Sequence, residues 1–252
     1  MQLSPARLAA DALRLLPRKR ISRALGAIAK TRAPQPLVSR AIDAFVSAYD
    51  VDMAQAIVPS GGYRSFDDFF TRALEPGARP IDADPSVIIS PADGKIEDFG
   101  AVDLAASVTV KGKPYRVGDL LGDVGLGDAY QGGNYFIVYL SPRDYHRVHS
   151  PVAGVVRTVR SMPGDYYPVN AIGERHIPQL FARNRRVAIL VDTESHGRVT
   201  VVMVSAMIVG RVSVSGIDGR DVPMGTHTLE PELRIARGDE IGIFHLGSTA
   251  VV

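Results

Sequence analysis

Three short segments hold the residues best suited to catalysis: SPADGKI at 90–96, YHRVHSPVAG at 145–154 and FHLGSTAVV at 244–252. The last segment contains the peptide bond between Gly247 and Ser248. Glycine has no side chain to shield its carbonyl, and the serine hydroxyl lies next to it. This serine could therefore attack its own peptide linkage and be converted into a reactive carbonyl group. A Gly-Ser pair is common, so taken alone it indicates little.

Two histidines three residues apart, His146 and His149, precede a predicted strand. Such a pair serves as acid and base, as metal ligands or as a structural cluster. Metal binding is the weakest of these, because neither a cysteine nor an acidic residue within the segment completes a coordination shell. Asp93 lies in an Asp-Gly turn, where an aspartate is ordinarily structural. These residues alone leave catalytic and structural roles open, and no metal site is predicted.

The composition limits the class of protein. A chain of 252 residues with 46% hydrophobic residues is long enough to bury a large core. Because it has no cysteine, a nucleophile has to come from serine, threonine or lysine. No apolar run approaches the ~20 residues that cross a bilayer, and the N-terminus lacks the pattern of a secretory signal. We therefore expect a globular protein that does not span a membrane.

Basic charge is concentrated near the N-terminus. Residues 1–40 contain nine Lys or Arg and one acidic residue, so the remainder of the chain is acidic. Charged residues recur at helical spacing from Arg7 to Arg18, with leucines on the other side. Residues 1–34 are predicted to form a basic amphipathic arm that contacts an anionic membrane surface, or a helix docked on its own domain. The arm has no interleaved aromatic residues, so no nucleic-acid partner is predicted.

Helix signals come first along the chain. Residues 35–58 predict one or two helices, and Ser65 is placed to cap a short helix over 66–70 with an acidic residue at the capping-box position. The helices are predicted to end near residue 75. The sequence therefore predicts a helical segment over 35–75.

From Val87 the chain consists of short β-rich runs separated by glycine and proline. These runs are VIIS, GKIEDFG, SVTV, NYFIVYL, GVVRTVR, RVAILV, the long run at 198–216 and EIGIFHLG. The predicted fold is α+β, with N-terminal helices followed by a mainly β catalytic domain over 76–252. The Gly-rich stretch 111–133 predicts either a mobile cover over a site or a plain surface loop.

Taken together, the segments match a known family. SPADGKI, SPRDYHRVHSPVAG, LFARNRRVAIL at 180–190 and the terminal LGST follow in the order and approximate spacing of phosphatidylserine decarboxylases. FFTRALEPGARPID at 69–82 resembles the segment that precedes the catalytic core in that family. From about residue 35 to residue 249, the chain therefore resembles a pyruvoyl-dependent phosphatidylserine decarboxylase proenzyme of bacterial type.

Two alternatives belong to other classes of protein. PADGKI, SPVAGVV and RGDEIGIF resemble turns of barrel-sandwich hybrid domains, so the chain could be a group carrier with His149 as a phosphate acceptor. A non-catalytic membrane-binding relative is the second alternative.

The resemblance implies self-cleavage. Asp93, His149 and Ser248 occupy the positions of an Asp-His-Ser relay that cuts the chain before the serine. His149 would take the serine proton, while Asp93 fixes the imidazole tautomer and stabilises its positive form. Ser248 would then attack the carbonyl of Gly247 and form an ester. Elimination of the Gly247 carboxylate and loss of ammonia would leave an N-terminal pyruvoyl group at position 248.

The resemblance also implies the cofactor and the partners. The self-derived pyruvoyl group would form a Schiff base with the phospholipid substrate, and His146 would protonate the carbanion or act only as a packing histidine. The large and small fragments of the cleaved chain would stay associated, a homodimer is expected, and the protein would be peripheral at the cytoplasmic face of the plasma membrane. Family members continue for tens of residues beyond the serine, whereas this sequence ends at Val252, so we expect little besides one strand to hold the small fragment.

Overall fold

Within the described residues, helices precede the main β-structure, as the sequence predicts. The computed structural model of the chain describes residues 17–169, 171–207, 211–245 and 248–252. Its first helices are α1 (Arg18–Ala29), α2 (Gln35–Tyr49) and α3 (Phe66–Phe70).

The ends of the helices follow from local chemistry. Ser65 caps α3 as predicted, and its hydroxyl accepts a hydrogen bond from the backbone N–H of Asp68 at 3.1 Å. Helix α2 has a proline in its first turn, where the missing N–H costs nothing. It ends at Tyr49 because Asp50 turns into the left-handed region with φ 53°. The prediction of helix as far as residue 58 was therefore too long.

Twelve strands are present in the described part of the chain. They are β1 (Lys95–Ala101), β2 (Ser107–Val110), β3 (Lys113–Arg116), β4 (Asn134–Leu140), β5 (Arg147–His149), β6 (Gly154–Met162), β7 (Arg186–Asp192), β8 (Arg198–Ser205), β9 (Arg211–Val214), β10 (Gly225–Ile235), β11 (Glu240–His245) and β12 (Ser248–Val251). Short helices α4 (Val117–Leu121), α5 (Ala171–His176) and α6 (Leu180–Arg183) lie between them, with a 3-10 helix at Val124–Tyr130. The predicted α+β fold is confirmed.

The strands form one large sheet and two small ones, all antiparallel. The seven-stranded sheet has the order β1-β4-β12-β8-β7-β6-β10, the three-stranded sheet has the order β5-β11-β9, and β2 pairs with β3. The chain passes from β11 in the smaller sheet to β12 in the larger one across residues 246–247. The predicted cleavage bond therefore lies where the chain changes sheets.

Apolar residues alternate between two cores on opposite faces of the large sheet. On β8, Val202 and Val204 face a core that includes the N-terminal helices, whereas Val201 and Met203 face the three-stranded sheet. Strands that are covered on both faces read as continuous hydrophobic runs, which explains sequences such as RVAILV. Burial on both faces fixes the register of the central strands, because a slip by one residue would exchange the two sets of side chains.

Two predictions about loops and strands are corrected. The stretch 111–133 is not a mobile cover, because it forms β3, α4 and a 3-10 helix, and Leu120 and Leu121 are buried in the core. The carbonyl of Leu120 also accepts a hydrogen bond from the buried guanidinium of Arg186 at 2.7 Å. The run VIIS at 87–90 is not a strand.

The helix predicted around Arg7 to Arg14 lies outside the described residues. Helix α1 begins after it and docks on the domain through Arg18, whose guanidinium pairs with Asp165 at 2.8 Å and lies 4.0 Å from the ring centroid of Tyr167. No helix within the described residues is long and apolar enough to cross a membrane.

Candidate active site

A cleft of about 470 Å³ collects several residues that the sequence singles out. Asp93 and His149 both line it, together with Tyr145 and Gly238. One wall is the segment 74–81 and the other is the end of β5 with the turn before β11. The structure therefore brings two of the three predicted relay residues to one cleft.

Backbone hydrogen bonds fix the walls of this cleft. The backbone N–H of His149 donates to the carbonyl of Pro91 at 2.7 Å, and that of Ile89 donates to Pro151 at 3.1 Å. These bonds hold the segment before Asp93 alongside the end of β5. The opposite turn is fixed by the backbone N–H of Gly238, which donates to Ser150 at 2.8 Å.

Both ring nitrogens of His149 are engaged. Its Nδ1 lies 2.7 Å from the carbonyl oxygen of Gly238, which accepts hydrogen bonds only, so Nδ1 carries the proton. In the neutral ring, Nε2 then accepts from the hydroxyl of Tyr145 at 3.1 Å. Burial raises the pKa of Tyr145 to about 12, so its hydroxyl keeps the proton that it donates. His149 is thus held with Nε2 as the basic atom, which is the tautomer that a general base requires.

Gly238 has a backbone conformation that supports this contact. Its φ is 89°, a value that residues other than glycine rarely adopt, and an added Cβ would collide with the side chain of Ile81. Only glycine therefore lets the turn present its carbonyl to His149 at the mouth of the cleft.

Asp93 is paired with an arginine. The carboxylate lies 2.5 Å from Nη2 and 2.8 Å from Nε of Arg79. The third nitrogen of the same guanidinium, Nη1, donates to the side-chain oxygen of Gln55 at 2.7 Å. This pairing raises the pKa of Arg79 through its hydrogen bond to Asp93. No hydrogen bond joins Asp93 to His149 among the residues described, and the tautomer predicted to depend on Asp93 is fixed here by the backbone of Gly238.

His146 lies apart from the cleft lining and is fully buried. Its Nδ1 donates to the carbonyl of Asp144 at 2.7 Å, and its ring centroid lies 4.1 Å from that of Phe70. Burial lowers the pKa of His146 to about 3, so the ring is neutral. Its Nε2 has no hydrogen-bond partner among the described residues. These contacts favour the packing alternative over the predicted proton donor.

Ser248 is the first residue of β12, between β4 and β8. Its Cα pairs with that of Leu140 on one side and that of Ser205 on the other. Ser205 is fully buried, and its hydroxyl has no hydrogen-bond partner among the described residues. An unsatisfied buried hydroxyl therefore lies on the residue directly opposite position 248 in the ladder. Gly247 itself lies outside the described residues.

The strand that begins at Ser248 is held more firmly than the sequence suggests. It pairs along its length with both neighbours, and Val252 exchanges two further backbone hydrogen bonds with Phe136 at 2.9 and 3.0 Å. Thr249, Ala250 and Val251 are all buried. In the uncut chain this one strand has two ladders and two covered faces, and what holds the fragment after cleavage stays a prediction.

A buried Asp-His pair near the predicted cleavage bond was missed from the sequence. Asp67 on α3 is fully buried, and both its oxygens lie 3.1 Å from Nδ1 of His245, the last residue of β11. Arg220 and Arg211 approach the same carboxylate at 3.2 and 3.4 Å, while Nε2 of His245 lies 3.3 Å from the hydroxyl of Ser213. The pair ties the helical segment to the chain two residues before Gly247.

Burial alone would raise the pKa of Asp67, but the hydrogen bond from His245 and the nearby arginines outweigh it, so the pKa is lowered. A lowered pKa in the folded state stabilises the fold above the carboxyl pKa of the unfolded chain, near 4. That contribution is lost as the pH falls through the folded pKa.

We expect Asp67→Asn to lower the free energy of unfolding by about 3 kcal/mol at neutral pH, because a buried ion pair loses one partner. The difference from wild type should shrink as the pH falls below 4. Urea unfolding at a series of pH values measures it, with the exposed Asp43→Asn as the matched control. A pH-independent difference would contradict the assignment of Asp67 as the stabilising carboxylate.

The other residues that sequence reasoning missed left weak signals. Ser205 follows the apolar run 201–204 at the end of β8 and is fully buried, and a buried polar residue at such a position indicates a required hydroxyl. Tyr145 stands four residues before His149, with no pattern that predicts their contact. The partners Arg79 and Gly238 come from segments that only the folded chain brings together.

Comparisons with known proteins agree with one another. The family model described as phosphatidylserine decarboxylase matches residues 66–252. A phosphatidylserine decarboxylase proenzyme from Bordetella pertussis (strain Tohama I) is 43% identical over 248 residues, covering 94% of this chain and 82% of the relative. Proenzymes of the same description from Acinetobacter baumannii (strain SDF) and Azotobacter vinelandii (strain DJ) are each 41% identical over 94% of this chain, covering 84% and 86% of those relatives.

Proposed function

The chain belongs to the phosphatidylserine decarboxylase family, and on that premise we propose that it is a proenzyme that cuts itself between Gly247 and Ser248. The mature enzyme is a carboxy-lyase that converts phosphatidylserine to phosphatidylethanolamine and carbon dioxide. The observation that carries the proposal is the place of Ser248, at the start of a central strand where the chain changes sheets and opposite the unpartnered hydroxyl of Ser205.

In the self-cleavage step, His149 is the general base. The Ser248 hydroxyl adds to the Gly247 carbonyl carbon while Nε2 of His149 takes its proton, which then passes to the departing Ser248 amine to leave an ester. The bond from Nδ1 to the carbonyl of Gly238 keeps Nε2 as the basic nitrogen, and Tyr145 has to release Nε2 for the transfer. The carboxylate of Asp93, which lines the same cleft, stabilises the positive charge on protonated His149. Loss of the Ser248 α-proton then expels the Gly247 carboxylate, and hydrolysis releases ammonia.

The residues around position 248 fit a self-derived pyruvoyl group. Two buried polar atoms, the hydroxyl of Ser205 and Nε2 of His146, have no partner among the described residues. The carbonyl of His146 accepts from the backbone N–H of Phe244 at 2.9 Å, which places this histidine beside the strand leading to Gly247. A pyruvoyl group there supplies a carbonyl that condenses with the substrate amine and accepts the electron pair released with carbon dioxide.

Of these two atoms, the Ser205 hydroxyl belongs to the residue directly opposite position 248 in the ladder. The Ser205 hydroxyl donates a hydrogen bond to a carbonyl oxygen and holds its orientation. His146 is neutral with its proton on Nδ1, so its Nε2 is a hydrogen-bond acceptor. We therefore assign His146 a packing role beside the strand that leads to Gly247, in place of the proton donation that the resemblance implies.

The fragments of the cleaved chain have a strand in common with the uncut sheet. The two ladders of β12 hold the fragment that begins at residue 248 in place after cleavage, so the large and small fragments stay together. The homodimer stays a prediction.

Membrane contact is assigned to the N-terminal helices. Between α1 and α2 lies an apolar groove of about 430 Å³, lined by Leu25 and Phe66 among others. At its rim Ile28 and Leu37 are 69% and 57% exposed. Exposed basic residues lie along α1 and in the turn that follows it, namely Lys19, Arg20, Arg23, Lys30 and Arg32. This combination suits a peripheral position on anionic lipid at the cytoplasmic face of the plasma membrane.

Ile28→Glu combined with Leu37→Glu should weaken binding to vesicles that contain phosphatidylglycerol by about tenfold or more, because both side chains lose their contact with acyl chains. Vesicle co-sedimentation measures the effect. Val124→Glu, at a 71% exposed site on the 3-10 helix, is the control. Equal loss in the control would show that charge alone decides binding.

Release of carbon dioxide from phosphatidylserine by the purified protein tests the proposed function, with phosphatidylethanolamine identified as the lipid product. A group carrier or a non-catalytic membrane-binding relative would release none and would remain one intact chain. Absence of carbon dioxide from a cleaved, folded sample would refute the proposal.

A further inference from the structure

A second cavity, of about 600 Å³, lies between the segment 57–73 and the outer face of the three-stranded sheet. Four arginines line it: Arg64, Arg72, Arg147 and Arg220. Asp68 is the single acidic side chain among its described lining residues. We call this cavity the arginine pocket. Its charge is positive, and it is separate from the cleft that holds Asp93 and His149.

Arg72 is the most unusual residue of the arginine pocket. Arg72 is only 4% exposed, yet no carboxylate within the described part of the chain forms a hydrogen bond or salt bridge with it. Its Nη2 donates to the carbonyl of Arg143 at 3.1 Å, and its Nε has no hydrogen-bond partner among the described residues. Burial lowers the pKa of Arg72 and outweighs the carboxylates of Asp93, Asp144 and Asp52, which lie near enough to raise it, so an anion bound beside the guanidinium would offset the remaining cost.

The other arginines divide into two groups. Arg147 pairs with Glu240 at 2.8 Å, and Arg220 pairs with Asp67 at 3.2 Å, so both are engaged. Arg64 is exposed and makes no hydrogen bond or ion pair with any described residue. Two guanidinium groups, on Arg64 and Arg72, are therefore available to an incoming ligand.

We propose that the arginine pocket binds a phosphate-class oxyanion, with Arg72 and Arg64 as its direct ligands. A guanidinium offers parallel N–H donors that match the oxygens of a phosphate group, and the volume leaves room for the substituents of a phosphodiester. His245, two residues before Gly247, lines the pocket, so the bound group lies close along the chain to the predicted reacting position. The favoured source is the headgroup phosphate of the substrate lipid, which rests on the proposed function.

Phosphorus NMR titration of the full-length purified protein tests the site, with inorganic phosphate in one arm and glycerophosphoserine in the other. Ionic strength is held constant with sodium chloride. Both ligands should bind and should compete with each other. Arg64→Gln, at an exposed position, should weaken both about tenfold, and Arg72→Lys should weaken them further, because the ammonium lacks the fork. Arg116→Gln, an exposed arginine outside the pocket, is the matched control.

Each outcome decides the proposal. No binding of either ligand, or equal weakening by Arg64→Gln and Arg116→Gln, would overturn the site. Binding of phosphate without glycerophosphoserine would support an oxyanion site and overturn the lipid as its source. The titration needs no turnover, so a protein that binds both ligands but releases no carbon dioxide would remove the decarboxylase proposal and leave the anion site in place.

Discussion

Ser248→Ala is expected to leave the chain uncut and to abolish carbon dioxide release. Without the hydroxyl there is no nucleophile to form the ester at Gly247, and no residue that can become the electrophilic group. Intact-mass and N-terminal analysis measure the result directly. Wild type should give a large fragment that ends at Gly247 and a second fragment with a blocked N-terminus, whereas the variant should give one mass.

Loss of folding is an unattractive alternative explanation for that result. The hydrogen bonds that hold β12 to its neighbours come from the backbone, so alanine preserves them. Circular dichroism should therefore match wild type, and the exposed Ser195→Ala should be cleaved normally. A Ser248→Ala protein that is still cut after Gly247 would remove the mechanism.

Much of the fold follows from hydrophobic pattern. Seven of the eight predicted β runs are strands, because long apolar runs with β-branched residues have few other ways to be buried. The strand β10 was missed, since Pro231 interrupts it. The structure places β10 at the edge of the large sheet, with a register shift between Thr228 and Leu233, where a proline leaves no ladder bond unmade. The sequence of one strand does not reveal whether that strand lies at the edge of its sheet.

The site was predictable only in part, because the residues that contact one another there are far apart along the chain. The motif residues Asp93 and His149 do line one cleft, but the contacts that set their chemistry come from Arg79 and Gly238. Asp67 and His245 meet across 178 positions, and neither stands in a recognisable spacing. Local pattern identifies the elements, whereas partners of this kind depend on how the helical segment packs against the small sheet.

His149→Ala should slow self-cleavage by about 10²- to 10⁴-fold, the usual contribution of a positioned general base. Tyr145→Phe should slow it by less than tenfold. The phenylalanine ring keeps the packing against His149, whose ring centroid lies 5.6 Å from that of Tyr145, and removes only the hydrogen bond to Nε2. Time courses of fragment formation, starting from freshly synthesised protein, measure both rates.

The comparison separates a base from a structural histidine. If His149 served only to hold Tyr145 and Gly238 together, removing the hydroxyl of Tyr145 would cost a similar share of the rate as removing the imidazole. If it is the base, Nε2 has to be free at the moment of proton transfer, and losing its resting partner does little harm. Cleavage of His149→Ala at the wild-type rate would exclude His149 as the base, whatever the effect of Tyr145→Phe.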